Sequence, residues 1–272
     1  MKGLVIPGCI GLAALSLLLP WDLSYDPWGW VTWGQQLADP LLRFNTEAYP
    51  SWKPLPVAFT AVFALSGGWA PALWLVTARA GALAAVGLGY RLGARLGGVV
   101  AGVASAAGIL LLSGSLRYFA GGAAEPLLMA LVLGAVDRHL ERRRGQALGL
   151  VFAASLVRPE CWPFLVAYAL FYGYGSVRRA IVAAVLLLLV PALWFLPEWI
   201  GAGDPFHGTQ LARMSQEAHV VQGLSHPAFA ASWRGLALVP VPLLVAAAFV
   251  FARALRERRP LELALAVGAL GW

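Results

Sequence analysis

The sequence predicts an all-α chain, a polytopic transmembrane helical bundle of about 8–9 spans, on three observations. Of its 272 residues, 60% are hydrophobic and only 12% are charged, against roughly 25% charged in soluble domains. The apolar residues come in long runs separated by short basic clusters, the pattern of membrane helices and their turns. The 12 Trp suit a membrane interface, where indole rings are favoured. The net charge of +7 sits in those short clusters, so it marks topology and not a nucleic-acid surface. Cys9 and Cys161 make no metal-ligand spacing, and Cys9 lies within the first apolar run, which argues against a structural disulfide.

Span one is Leu4–Pro20, an uncharged run that starts just after Lys2; no small-residue cleavage site precedes Trp21, so it reads as a retained helix. Trp21–Lys53 is then an outer loop. Within it, Asp26-Pro27 opens a short amphipathic helix, Trp28–Ala38, with Trp28, Trp30 and Trp33 placed to anchor it in the interface. Pro54–Gly68 is too short to cross and reads as an interfacial or re-entrant segment. If it did cross, every later basic cluster would fall outside. Span two is Pro71–Leu92, ending at Arg91 and Arg95, and span three is Gly97–Leu116. Span four, Ala120–Leu140, ends at the cluster from Asp137 to Arg144. Spans five (Ala147–Val157) and six (Cys161–Gly175) are short. Span seven is Ala180–Pro197, an outer loop covers 198–235, and span eight is Leu236–Ala252. A ninth run starts at Leu261 and stops at Trp272, so residues 1–272 are expected to be a single transmembrane domain with a truncated C-terminus. The Gly/Ala-rich stretch Ala94–Gly108 suits close helix packing in lipid.

With Lys2 inside, thirteen of the 20 Lys and Arg fall on the inner face and seven on the outer, while nine of the 13 acids fall outside. That basic bias is the signature of a cytoplasmic inner face. The expected location is a plasma membrane, with the N-terminus cytoplasmic and the chemically varied loops extracytoplasmic.

Polar residues at membrane depth are expensive, and here they converge on the outer face. Asp26, in Tyr25-Asp26-Pro27-Trp28-Gly29-Trp30 just beyond the first span, is a candidate general base or a ligand to a divalent cation (Mg or Mn), with Asp22 as its only nearby companion. Its structural alternative is the N-cap of the following helix, with Pro27 at the first helical position. Glu125-Pro126 opens span four beside Gly121-Gly122, where a ligand has room to approach the backbone. Arg158-Pro159-Glu160 interrupts two short spans, which suggests a site recessed into the outer leaflet. Arg158 suits a phosphate and also suits an internal pair with Glu160. Lys53 and Arg117 are further candidates for an anionic head group, or ordinary interface anchors. His207 lies in a Gly/Pro-rich loop, and with His219 and His226 it matches no compact metal motif. No Walker loop or dinucleotide-binding glycine pattern is present, so a nucleotide is not expected and the reactant must arrive already activated.

The order Tyr25-Asp26-Pro27-Trp28, Tyr49-Pro50-Ser51-Trp52-Lys53-Pro54, Ala78-Arg79-Ala80, Gly89-Tyr90-Arg91 to Gly97-Gly98, Glu125-Pro126-Leu127 and Arg158-Pro159-Glu160 resembles the N-terminal module of C-type (GT-C) integral-membrane glycosyltransferases over roughly residues 1–200. These include protein O-mannosyltransferases and the aminoarabinose transferase. The resemblance implies a hexosyltransferase of the cell envelope that takes a sugar from a polyprenyl-phosphate donor. Transfer to a hydroxyl of a protein, glycan or lipid acceptor would occur on the extracytoplasmic side, usually with inversion. It implies that Asp26 is the base, that Lys53, Arg117 and Arg158 hold the phosphate, and that Glu125 and Glu160 bond sugar hydroxyls. His207 is a further substrate-binding candidate. Pro27 stands where many members carry a second acid, which puts metal dependence in question. The competing readings are a lipid or solute transporter or flippase, expected to place charges near the midplane, and an inactive truncated membrane scaffold.

Overall fold

The structure is a computed structural model that describes residues 5–48, 50–112, 114–211, 233 and 238–257. Among them the regular elements are all helical, as the sequence predicts. Lys2, Tyr49, Arg258, Arg259, the run Leu261–Trp272, and Arg213, Glu217, His219 and His226 of the outer loop lie outside the described residues. The chain forms two compact units. One comprises Met1–Ala82 and Tyr118–His219, the other Leu83–Arg117 and Val220–Trp272.

In the first unit, α1 (Val5–Leu15) runs into a 3-10 turn at Ser16–Leu18. Together they reach about 20 Å, short of a hydrocarbon core of about 30 Å. α2 (Tyr25–Ala38) begins three residues earlier than the sequence suggests, because Ser24 and not Asp26 is its N-cap. Asp26 is therefore in the first turn, where a carboxylate meets the positive end of the helix dipole.

The inward face of α2 carries Pro27, Trp30, Val31, Trp33 and Gly34, at the spacing of one helical stripe. This corrects the expectation that Trp30 and Trp33 anchor the interface: both are buried, and only Trp28 of the three is exposed. Their partner is α3 (Pro54–Ala64), which buries Pro54, Pro56, Val57 and Thr60. Gly34 permits that contact, since a Cβ there would lie 2.4 Å from the Thr60 carbonyl carbon, and the Thr60 hydroxyl donates to the Trp30 carbonyl at 2.7 Å. At 11 residues, α3 spans about 16 Å and is too short to cross, as the sequence predicts.

α4 (Ala70–Leu111) enters the first unit with Trp74, whose indole meets Trp30 edge-on at 5.5 Å and donates to the Gly122 carbonyl at 2.9 Å. Trp30, Trp33, Trp52 and Trp74 thus form a protein core, so four of the tryptophans assigned to the interface pack inside instead.

α5 (Ser115–Ala120) leads to α6 (Glu125–Leu140), α7 (Arg144–Ser155), α8 (Trp162–Gly173) and α9 (Val177–Ala202). α6 ends in a Schellman cap: the Arg142 N–H donates to the His139 carbonyl at 2.8 Å and the Arg143 N–H to the Arg138 carbonyl at 2.9 Å. The cap places Arg142 at φ 60°, where glycine is the usual occupant. α7 and α8, of 12 residues each, reach about 18 Å.

α9 passes beyond Pro197, where the sequence suggested its end, and stops at a left-handed Gly203. The continuation has a local reason. Pro197 has no N–H for the carbonyl four residues before it, at Leu193. The Trp52 indole N–H takes that carbonyl at 3.0 Å. Along α9 only Ala183, Val190 and Glu198 are buried; Ala183 and Val190, with Leu186, Leu187 and Trp194 beside them, join a core with α7 and α8, while Ile181, Val185, Leu188, Trp199 and Ile200 are exposed.

In the second unit, α4 reverses at Gly98, whose φ of 86° and ψ of −179° are open to glycine alone. The two arms lie side by side: a Cβ on Gly93 would meet the Ala101 carbonyl oxygen at 2.5 Å, and one on Gly102 the Tyr90 carbonyl oxygen at 2.9 Å. Residues eight apart in a straight helix would be separated by about 12 Å. The sequence's division into spans two and three is therefore present as a reversal, placed at Gly98 and not at the Arg91–Arg95 stretch. α10 (Val241–Arg256) packs on these arms, with Leu243 against Gly108 and Val250 against Gly97.

By length and composition two described helical runs are apolar enough to cross a membrane, Gly67–Leu111 and Val177–Ala202. The first contains the Gly98 reversal.

Candidate active site

Four helical starts meet in the first unit. Ser24, the N-cap of α2, sends both its backbone N–H (2.9 Å) and its hydroxyl (3.0 Å) to the Gly121 carbonyl. This ties the start of α2 to the turn that launches α6, where Glu125 is the first helical residue and Pro126 the second. Lys53 is the N-cap of α3 in extended geometry, with Pro54 next. Arg158, also extended, precedes a 3-10 turn at Pro159–Cys161 that feeds α8. The Leu55 N–H donates to the Leu156 carbonyl at 3.0 Å and fixes the start of α3 against the residues leading into Arg158. In each case a proline at the helix start or the residue before it sets the direction of the chain.

Glu125 joins the cations. Its Oε1 accepts from Arg158 at 2.5 Å and lies 3.6 Å from the Lys53 ammonium. Arg158 also reaches Glu160, at 4.0 Å. The Lys53 ammonium sits 4.7 Å from the centre of the Trp30 ring, a cation–π contact. Burial pushes the Lys53 pKa below the ordinary lysine value. The charges of Glu125 and Asp26 oppose that shift, and Arg158 reinforces it. A charge this buried persists only because it is paired. Asp26 itself is exposed and has no hydrogen-bond or ion-pair partner among the described residues. Among the described residues, Asp26 is thus a carboxylate without a hydrogen-bond or ion-pair partner whose charge acts on Lys53, and Glu125 holds Lys53 and Arg158 together. Lys53 and Arg158 stand directly before helical starts, and paired cations of this kind suit an anion.

The sequence candidates divide accordingly. Lys53, Glu125, Arg158 and Glu160 are brought together, and Asp26 acts on Lys53 through its charge. Arg117 is exposed and belongs to the second unit. His207 lies elsewhere in the first unit, its Nε2 3.0 Å from the Glu47 carbonyl oxygen. The residues do not fit a divalent cation. The Asp22 carboxylate accepts from the Leu23 N–H at 2.8 Å and the Trp28 indole at 3.3 Å. No group of three His, Cys, Asp or Glu able to hold a metal occurs among the described residues, and Lys53 and Arg158 would repel one.

Glu198 was not selected from sequence as a site residue. It is 4% exposed, accepts the Gly208 N–H at 3.1 Å, and takes the backbone N–H of Trp52 as well. Trp52 is therefore held by α9 at its indole and at its backbone, one residue before Lys53. The legible signal was an acid in an apolar run directly after Pro197. The chain matches no protein-family model, no curated protein and no solved structure.

Proposed function

We propose that this cluster is the active site of a GT-C-like, multi-pass membrane glycosyltransferase. It would move a sugar from a polyprenyl-phosphate donor to an acceptor hydroxyl on the extracytoplasmic face of a plasma membrane. The observation that carries the reading is an exposed carboxylate, Asp26, with no hydrogen-bond or ion-pair partner among the described residues, whose charge acts on Lys53, itself linked through Glu125 to Arg158. A glycosyl phosphate needs both: a base for the incoming hydroxyl and positive charge for the departing phosphate. The outward-facing apolar surface of α9, the short charged turns and the inside bias of the basic residues support the membrane placement.

In this mechanism Lys53 and Arg158 bind the donor phosphate, and Glu160 bonds sugar hydroxyls. Glu125 keeps the cations in register. Asp26 takes the acceptor proton as the acceptor oxygen bonds to the anomeric carbon. The bond from that carbon to the phosphate oxygen breaks, and polyprenyl phosphate leaves with the electron pair. Attack from the face opposite the leaving group inverts the anomeric centre. Lys53 and Arg158 meet the charge that grows on the departing oxygen, where fixed electrostatics contribute most.

A lipid or solute carrier is the second reading, favoured by the two short helices α7 and α8 that break at Arg158-Pro159. One assay separates them. The full chain, reconstituted in vesicles, is given labelled polyprenyl-phosphate sugars and a membrane extract, and compared with Asp26→Asn. The transferase releases label from the lipid in the parent only, and Asp26→Asn is expected to fold because the carboxylate has no hydrogen-bond or ion-pair partner among the described residues. A carrier moves the intact labelled lipid without cleaving it, and that result would sink the transferase reading.

A further inference from the structure

We propose that Arg142, Arg144, Arg178 and Arg179 form a docking site for the phosphate head group of an anionic phospholipid. In the first unit, Arg142 lies in the turn before α7 and Arg144 is the first residue of α7, while Arg178 and Arg179 lie in the first turn of α9, away from the candidate active site in sequence. Two aromatic side chains join the turns. The Arg144 guanidinium lies 4.9 Å from the centre of the Phe171 ring and that of Arg179 5.9 Å from Tyr172. A Cβ on Gly145 would be 3.5 Å from the Tyr172 hydroxyl. Ring contacts hold the two charges in place, and the Arg179 guanidinium also donates to the Tyr174 carbonyl at 3.3 Å.

Among the described residues no ion pair compensates these four charges. Asp137 is committed to Arg138, and Glu141 to Arg138 at 3.0 Å and Arg143 at 3.6 Å. No ion pair joins any of the other four arginines to an acid among the described residues. α7 and α9 also begin here with no acid in their first turns, although acids are what a helix start favours. Arg142 is the one described non-glycine residue with positive φ, so a cation occupies a cap position that glycine fills at lower energy. Local stability would remove each of these charges, and an external anion would retain them. The ligand is a lipid and not a free phosphate, because apolar side chains border the patch at membrane-facing exposure: Phe171 is 44% exposed, Tyr174 87% and Val177 79%. Basic pockets between apolar helices recognise head groups in this way. The inference rests on the membrane reading and not on the transferase reading.

The test uses the full chain in neutral detergent, titrated with phosphatidylglycerol or phosphatidylcholine, with lipid retention read by native mass spectrometry and stability by Tm. The parent is expected to retain phosphatidylglycerol selectively and to gain Tm from it. Arg142→Gly binds it about fivefold more weakly, the loss of one arginine near a lipid phosphate. Arg142→Gly fits its cap, so weaker binding in it cannot be assigned to misfolding. The variant that also carries Arg144→Gln, Arg178→Gln and Arg179→Gln loses the selectivity, while donor turnover is unchanged. Equal retention of both lipids by the parent, persistence of selectivity in the fourfold variant, or an equal Tm gain from soluble glycerol phosphate would overturn the proposal. A chain that remains monodisperse without detergent would instead overturn the membrane reading itself.

Discussion

Glu125 is the shared partner of two cations, so its charge is the quantity to remove. Glu125→Gln keeps the length and shape of the side chain. At 3.6 Å and an effective dielectric near 20, the attraction between Lys53 and Glu125 is about 4–5 kcal/mol. Two effects reduce the loss. The Glu125 side chain is 35% exposed, so water screens it, and the neutral amide escapes the desolvation that the carboxylate bears. Lys53 also keeps Trp30 and the field of Asp26. The net destabilisation expected is about 2 kcal/mol, below the range for fully buried pairs, or a fall in Tm of about 4–8 °C. Lys53→Met removes the buried charge itself and fills similar space, so it should be close to neutral. The double variant should recover about 1–2 kcal/mol relative to the sum of the singles. Tryptophan fluorescence in detergent gives the melting curves. NMR of lysine-labelled protein adds a direct view, since Lys2 and Lys53 are the only lysines in the sequence. Glu125→Gln should move the Lys53 titration further down. An unchanged Tm in Glu125→Gln, or a strictly additive double variant, would refute a cluster held by charge.

The remaining expectations follow from single contacts. Because the folded pKa of Lys53 is lowered, the native state holds fewer protons than the unfolded chain between that value and the ordinary lysine range near 10.4. The Lys53 contribution to stability therefore rises with pH across that window, and the difference between parent and Lys53→Met melting curves should show the rise. Trp52→Phe leaves the Leu193 carbonyl that Pro197 cannot use without its donor, at a cost of about 1–3 kcal/mol, and restoring the helical N–H with Pro197→Ala should offset part of it. Arg142→Gly relieves a left-handed cap and should raise stability by about 1 kcal/mol in denaturant melts.

The sequence made the helix class and several boundaries legible because apolar runs and proline starts are local signals. Pro54 and Pro126 mark the starts of α3 and α6, whereas the break between spans two and three was read at Arg91–Arg95 and falls at Gly98. Pro197 misled for an instructive reason. Its cost to the helix is local, but the donor that offsets it comes from Trp52, 141 positions before the Leu193 acceptor, and no periodicity reports such a pairing. Trp30 and Trp33 misled because an indole facing a neighbouring helix and an indole facing lipid share one spacing pattern; the partner face on α3 decides between them. In the candidate site, Lys53, Glu125 and Arg158 were legible as charges flanked by proline in apolar surroundings, which is expensive unless the charges meet. That they meet at one carboxylate oxygen was not legible, since the three lie on separate helical starts.

Lys53 is fixed from two directions, and this bears on how the cluster works. From the front, Glu125 and Trp30 engage its ammonium. From behind, α9 holds the residue before it twice: the Leu193 carbonyl takes the Trp52 indole, and the Glu198 carboxylate takes the Trp52 N–H. The proline that frees the first acceptor and the acid that supplies the second are adjacent in sequence. A buried lysine without such support would turn toward water, because its stem is flexible and its charge strongly hydrated. Support of the backbone lets the ammonium remain where solvation alone would not leave it, so the charge is already in place when an anion arrives. A cation placed in advance avoids reorganisation at the moment negative charge develops, and that is the property a leaving phosphate requires.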